Sequence, residues 1–371
     1  MQTITQLHHH TLTPPHLHTP TPPHLHTPTP PHPHIPLTAH HLRFILRVTN
    51  PIQFNSFKGS ALRGAFADVL RRTFCAQWQR EETDPLHRAL CPVCQLLTVE
   101  HDLELGPWDK KPGDVRRPYA ITPPSEDCPN ELTVGELFEF GLTLFGEKLD
   151  YLQYLILAVG RMGEVGVGRK QRVAEGKAKR GQFVVEQIEA VNPVTREVYV
   201  MMAQGEDRVE DITLPVTHED VMAAADLLVD QLAAQNNHLQ VTFCTPTRLT
   251  NNKKTLKQPD FFALAKHAAR RVLDLSAQHA GGRPDDFELR RDLYPYADTV
   301  TLVEDNTRWW DVSGYSNRIN RAQRLGGFVG TVTYHAPDWR PLLPWLLWGM
   351  STHVGKNVVK GCGIYQIQTY D

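Results

Sequence analysis

The sequence predicts an α+β protein of two tandem β-α-β-β-α-β units, with a cysteine-containing insertion in the first. Three observations carry that reading. Segments that alternate like strands and segments with helical apolar spacing follow one another in the same order twice. Each half runs its second helix into Val-Gly and then a cation, in "RMGEVGVGRKQR" (161–172) and in "MSTHVGKNVVKGCG" (350–363). A polar stretch at 203–237 separates the halves. Each unit has the element order of the ferredoxin-like, or RRM-like, split βαβ fold.

The first unit is expected over residues 41–205. "LRFILRVT" (42–49) alternates as a strand, and "KGSALRGAFADVLRRTF" (58–74) carries Leu62, Phe66, Val69 and Leu70 at helical spacing. A Pro-rich irregular insertion is expected at about 75–130, holding Cys75, Cys91, Cys94 and Cys128. "ELFEFGLTLFG" (136–146) reads as a strand, "YLQYLILAVGRM" (151–162) as a helix, and 182–191 with 196–202 as a hairpin across "NPVT". Residues 206–237 read as a linker, with a helix possible within "EDVMAAADLLVDQLAAQ". The second unit, 238–371, begins with the strand "HLQVTFCTPTRL" (238–249) and the helix 260–278. Strands follow at 297–312 and 326–336, then the apolar helix "WRPLLPWLLWGM" (339–350) and the strand "GIYQIQTY".

Residues 1–40 form a Pro/His-rich extension in which an eight-residue unit repeats three times from Thr13. So much proline cannot enter a helix or sheet interior, so disorder is expected. Its histidines could hold a metal weakly, but a low-complexity segment without a site fits better, because no ligand geometry is fixed in such a chain. The segment has neither the cationic nor the apolar region of a signal peptide.

Composition narrows the function. With 371 residues and a net charge of −2, any nucleic-acid surface must be a local patch. No apolar run reaches the ~20 residues of a membrane span. Six cysteines and no secretory signal point to the reducing cytoplasm. The C-terminal loop "STHVGKNVVKGCG" sets Gly355, Gly361 and Gly363 around Lys356 and Lys360, a pattern suited to phosphate. It is not a nucleotide P-loop, because the glycine spacing is wrong and the order is helix, loop, strand. The phosphate would then belong to a nucleic-acid backbone.

Two further patches agree. "GRKQRVAEGKAKR" (168–180), with Arg169, Lys170 and Arg172, holds six cations against one Glu, although a solvated loop would look the same. In 309–327, Trp309, Trp310 and Tyr315 interleave with Arg318, Arg321 and Arg324, as suits RNA, although the tryptophans also suit a core. His353 stands at the mouth of the Gly/Lys loop as either an acid–base group or a structural histidine. Cys91 and Cys94 have zinc-knuckle spacing, which Cys75 and Cys128 would complete to a structural Zn²⁺ site; buried thiols, or a site that no longer binds metal, are the alternatives. Cys244 and Cys362 read as small core residues.

The chain resembles the RAMP-type CRISPR-associated endoribonucleases that process precursor CRISPR RNA. The likeness covers about residues 41–371. It rests on "FKGSALRGAFADVLRRTFC", "CPVC", "VTFCTPTRL", "YSNRINRAQRLGGFVGTVTY" and "STHVGKNVVKGCGIYQI". The resemblance implies tandem ferredoxin-like domains and metal-independent cleavage within the repeat RNA. In that chemistry the ribose 2′-hydroxyl attacks, leaving a 2′,3′-cyclic phosphate and a 5′-hydroxyl. Mapped here, it makes His353 the acid or base and Lys356 the charge stabiliser, with Tyr315, Lys356 or Lys360 next in line for the proton transfer. The glycine amides of Gly355, Gly361 and Gly363 would hold backbone phosphates. Relatives often place a histidine on the first helix, where this chain has Asp68 and no histidine. The family includes members that bind RNA without cutting, so a non-cleaving effector-complex subunit is the alternative. Repeat RNA, and possible effector-complex subunits, are the expected partners of a monomer or homodimer with no catalytic cofactor.

Overall fold

The computed structural model describes residues 34–80, 82–97, 115–172, 178–211, 213–282, 289–316 and 321–369. Most of the Pro/His extension lies outside them. The described chain is already packed at its start, since Ile35 and Leu37 are buried in the core of the second domain.

In the first domain the chain forms β1 (Ala39–Asn50), β2 (Ile52–Gln53), α1 (Lys58–Phe74), α2 (Pro85–Leu90), α3 (Pro92–Leu97), β3 (Tyr119–Thr122), β4 (Glu131–Leu132) and β5 (Leu137–Phe145). It continues with α4 (Tyr151–Val165), β6 (Val167–Arg172), β7 (Ala178–Val191) and β8 (Val198–Met202). Strand β1 starts three residues before its expected position, and its alternate residues Leu42, Phe44, Leu46 and Val48 are buried. The sheet order is β3-β5-β1-β7-β6, antiparallel throughout, with β8 also on β7.

Helix α5 (His218–Ala234) leads into the second domain: β9 (His238–Thr247), β10 (Thr250–Asn251), β11 (Lys254–Thr255), α6 (Phe261–His279) and α7 (Tyr294–Ala297). Then come β12 (Thr301–Trp310), β13 (Ser313–Ser316), β14 (Arg321–Arg324), β15 (Gly327–His335), α8 (Leu343–Thr352) and β16 (Tyr365–Thr369). The sheet order is β12-β15-β9-β16. With strands ranked by their place in each β-α-β-β-α-β unit, β3-β5-β1-β7 and β12-β15-β9-β16 are both second-third-first-fourth. That is the antiparallel ferredoxin-like order, present twice.

Two expectations change. The segment expected as a linker contains α5, a capped and packed helix. Thr217 and Asp220 exchange side-chain-to-backbone hydrogen bonds across its first turn, and Val221, Ala225, Val229 and Leu232 are buried. The insertion also ends earlier than expected, because β3 lies inside 75–130 as the second strand of the sheet. Its "YAI" is buried without alternation, so no period-two signal marks it. No helix among the described residues is long and apolar enough to cross a membrane.

Candidate functional site

A cleft of about 800 Å³ opens between α1, β6 and β13. One face of α1 turns its apolar residues into the core. The opposite face, with Ser60, Gly64, Asp68 and Arg72 at four-residue steps, lines the cleft. A Cβ on Gly64 would meet nothing within 4 Å, so the floor is shallow and open. The rim is basic, with Arg72, Arg169, Lys170 and Arg180. Arg169 Nε donates to Asn55 Oδ1 and Arg180 Nη1 to the Gly168 carbonyl, which fixes both guanidiniums at the edge. Asp68, the acid lining the cleft, is paired with Arg72 at 2.8 Å. A shallow floor beneath a cationic rim fits a sugar–phosphate backbone.

The segment expected as a basic loop is therefore largely strand. Arg169, Lys170 and Arg172 are exposed on β6, while residues 173–177 lie outside the described chain. The glycines before them serve close packing. Gly168 has φ +79, and a Cβ there would come within 2.5 Å of the Gln53 carbonyl oxygen.

The C-terminal Gly/Lys loop packs against the first turn of α1, beside the cleft. A Cβ on Gly59, in the first turn of α1, would lie 2.1 Å from the Lys360 carbonyl oxygen. Lys360 Nζ donates to Gln323 Oε1 on β14, and Gln323 stands opposite Gly314, a cleft residue on β13. Burial lowers the Lys360 ammonium from its ordinary value, Arg63 and Arg117 push the same way, and Cys362 opposes them. Arg63 Nε is buried without a hydrogen-bond partner. Lys356 points elsewhere. It is exposed, its amide donates to the Arg248 carbonyl at 3.2 Å, and its charge acts on His267 of α6.

Two roles expected of this loop do not fit its geometry. His353 is 2% exposed at the C-terminus of α8. Burial, with His41 and Arg271 nearby, holds its imidazole well below the usual histidine range. It lies in a polar seam between the halves, where His41 bonds Ser351 Oγ at 2.7 Å and Thr143 Oγ1 at 2.9 Å and Arg271 Nε donates to the Thr352 carbonyl at 2.6 Å. A side chain so enclosed is a structural histidine and cannot touch a backbone in the cleft. Nor are two of the three glycine amides free for phosphate. Gly361 N–H donates to the Val358 carbonyl at 2.8 Å and Gly363 N–H to the Pro246 carbonyl at 3.2 Å. Gly355, Gly361 and Gly363 all have positive φ, and a Cβ on each would strike protein, at the Arg248 carbonyl, Pro123 and the Val354 carbonyl respectively.

The aromatic–arginine segment divides. Trp310 meets Phe57 edge-on at 6.1 Å and packs against the small core of Phe57, Val312, Leu325 and Cys362. Trp309 is sandwiched by cations, with Lys257 Nζ 3.5 Å and Arg248 Cζ 5.7 Å from its ring centre. Arg324 is exposed on β14, and its carbonyl accepts from Arg248 Nη1 at 3.0 Å. Tyr315 and Arg321 lie on β13 and β14 with side chains outside the described residues, and Arg318 is wholly outside them.

The cysteines gather with a different fourth partner from the one expected. Cys75, His87, Cys91 and Cys94 place one ligand atom each within 4.8 Å of all the others. Cys128 is apart from them. Its thiol donates to the Pro129 carbonyl at 3.7 Å and lies in the field of Lys58, at the other end of α1 from Cys75. Cys362 is fully buried, as expected of a core residue.

Sequence reading missed Ser60, Arg63, Arg72, Arg248, Gln323 and His87. The polar stripe on α1 was visible in its four-residue spacing, and His87 precedes Cys91-x₂-Cys94 by four residues. Gln323 carried no local signal, because only the β13–β14 pairing brings it to Lys360.

Two sheets of one strand order, with a basic cleft lined by elements of both, make a tandem ferredoxin-like protein. A family model described as an N-terminal domain matches residues 37–213, and the model described as CRISPR-associated endoribonuclease Cas6 matches residues 241–365. The second domain is thus similar to the Cas6 endoribonucleases. No curated protein matches the chain significantly. A product complex of Thermus thermophilus Cas6 (TTHB231) shares the fold at 14% identity and a TM-score of 0.50, over 89% of this chain and 99% of that one. A structure titled as a partial Cas6-RT-Cas1–Cas2 complex aligns at 11% identity and a TM-score of 0.56. That alignment covers 90% of this chain but 46% of the other.

Proposed function

We propose that this protein cleaves precursor CRISPR RNA within its repeats to release guide RNAs, without a catalytic metal. The observation that carries the reading is a domain matching the Cas6 model whose Lys360 bonds Gln323, across the β13–β14 ladder from Gly314 in the wall of the basic α1–β6–β13 cleft. Arg169, Lys170 and Arg180 hold the RNA backbone across the cleft, and Arg172 and Arg324 extend the basic surface beyond it. At the scissile phosphate the ribose 2′-hydroxyl attacks phosphorus, its proton passing to solvent, and the bond to the 5′ oxygen breaks. The products are a 2′,3′-cyclic phosphate and a 5′-hydroxyl. Lys360, whose lowered pKa suits proton exchange, stabilises the phosphorane charge and protonates the leaving oxygen. Tyr315 on β13 is the next candidate for the proton transfer. The site of action is cytoplasmic, where repeat transcripts arise. Partners of the kind named in the Cas6-RT-Cas1–Cas2 structures are a further expectation.

A second reading has its own support. His353, the histidine assigned to the chemistry, is buried, and no histidine is among the described residues lining the cleft. A RAMP subunit that binds repeat RNA without cutting has no need of one. The test is to incubate the purified chain with its cognate repeat RNA in EDTA. Cleavage at one position, abolished by a 2′-deoxy sugar there, supports the nuclease. Tight binding with the RNA intact supports the non-cleaving subunit. Neither binding nor cleavage removes both.

A further inference from the structure

We propose that Cys75, His87, Cys91 and Cys94 bind one structural zinc ion that fastens the insertion of the first domain to the end of α1. Cys128, which the sequence pattern also offers, takes no part.

The distances suit the ion. Cys75 Sγ is 3.9 Å from Cys94 Sγ and 3.4 Å from His87 Nε2. Tetrahedral zinc with bonds of about 2.3 Å to sulfur and 2.0–2.1 Å to nitrogen sets its ligands about 3.5–3.8 Å apart. The widest separation in the group, within 4.8 Å, needs only a small inward shift of side chains. Three sulfurs and an imidazole are a soft set that selects zinc over magnesium or calcium. The three cysteines are buried and His87 is half-buried, and four protein ligands leave no open coordination position. Such a closed site is structural.

The local architecture gives the ion a task. Cys75 follows the last turn of α1, His87 lies in α2, Cys91 ends α2 and Cys94 lies in α3. Helices α2 and α3 have six residues each, far below the length at which a helix is stable alone. Yet α3 sends Val93, Leu96 and Leu97 into the core of the domain. One ion cross-linking three elements would hold these short helices in place. It would also fix the turn of α1 that carries Arg72 to the cleft, three residues before Cys75. Cys128 cannot join. It lies by Lys58 at the start of α1, and a 17-residue helix is roughly 25 Å long.

The exchange of His87 for Cys128 makes the test sharp. Protein purified under reducing, chelator-free conditions is expected to hold about one zinc per chain by elemental analysis. Cys128→Ser keeps that zinc, His87→Ala loses most of it, and His87→Cys retains it through a fourth thiolate. If His87→Ala does not fold, cobalt(II) exchanged into the wild-type chain decides. Visible bands of tetrahedral cobalt with thiolate charge transfer, unchanged in Cys128→Ser, support the site. Reduced wild-type protein that contains no zinc and takes up neither zinc nor cobalt overturns the proposal. So does zinc lost in Cys128→Ser and kept in His87→Ala.

Discussion

The loop after α4 and the loop after α8 occupy equivalent places in the two domains and begin alike, with Val-Gly and then a cation. Their glycines also do the same work. Gly168 sits against the Gln53 carbonyl and Gly363 against the Val354 carbonyl, each at positive φ. What differs is where the cations go. After α4 the chain turns directly into β6 and sets Arg169 and Lys170 on an exposed strand facing the cleft. After α8 it makes a short 3₁₀ turn at Val358–Lys360, so Lys356 is exposed and its charge acts on His267 of α6, while Lys360 is half-buried and bonds Gln323 beside the cleft. Glycine next to lysine in a sequence thus marks close backbone packing as readily as phosphate binding. The direction of each side chain decides what each cation meets.

The largest expected effect breaks the packing role. In Gly363→Val the first side-chain atom would lie 1.8 Å from the Val354 carbonyl oxygen, at a φ of +80. A destabilisation of several kcal/mol is expected, read as the urea midpoint, because both the overlap and the left-handed backbone must be relieved. Equal midpoints for variant and parent would show that the loop is not held this way.

Next come the two residues of that loop with opposite surroundings. Lys360→Ala is expected to slow single-turnover cleavage by ~10²-fold or more. His353→Gln is expected to lower stability and leave the rate of the folded protein little changed. The reverse outcome would return the chemistry to the buried histidine.

The loop after α4 should respond in binding alone. Arg169→Ala and Lys170→Ala should each weaken RNA affinity and reduce the salt dependence by roughly one phosphate contact. Unaltered salt slopes would move the RNA path off β6.

The seam around His353 sharpens the comparison through pH. Burial pushes His40 down to about 4, and burial with the adjacent His40 pushes His41 to about 3. These imidazoles are neutral in the folded chain at pH 7 and take up protons near 6.5 once unfolded. The unfolded state therefore binds more protons as pH falls below 6.5, and stability falls with it until the folded values are reached. The slope is up to about 1.4 kcal/mol per pH unit for each histidine. His41→Gln should flatten the fall in urea midpoint between pH 6.5 and 4.5, and an unchanged slope would contradict its neutral burial.

The smallest effect has the opposite sign. Gly64→Ala fills open space on a helix with ordinary φ, so it should stabilise α1 by up to about 1 kcal/mol in thermal melting.

Much of this was legible in the chain itself. The doubled β-α-β-β-α-β order, the α1 helix and the β1 strand follow from apolar periodicity, because burying one face of an element forces a period of 3.6 or 2 on its residues. The conserved order of the two sheets, second-third-first-fourth, then follows from short crossovers. The four-residue "YAIT" strand escaped, since a strand buried on both faces shows no alternation. So did the packing of α5, a helix the sequence allowed but whose place in a polar stretch between the halves read as a linker.

By itself, the sequence determined which residues form elements and which chemistry is at hand: thiols at knuckle spacing, glycines beside lysines, arginines among aromatics. Only the tertiary structure decided which of them meet. It buried His353 between domains, left Lys356 exposed and set Lys360 against Gln323, and put His87 rather than Cys128 beside the other thiols. The reason is that periodicity reports burial within one element. A site is made by the register of strands and the length of helices from distant parts of the chain, such as the whole of α1 that separates Cys128 from Cys75.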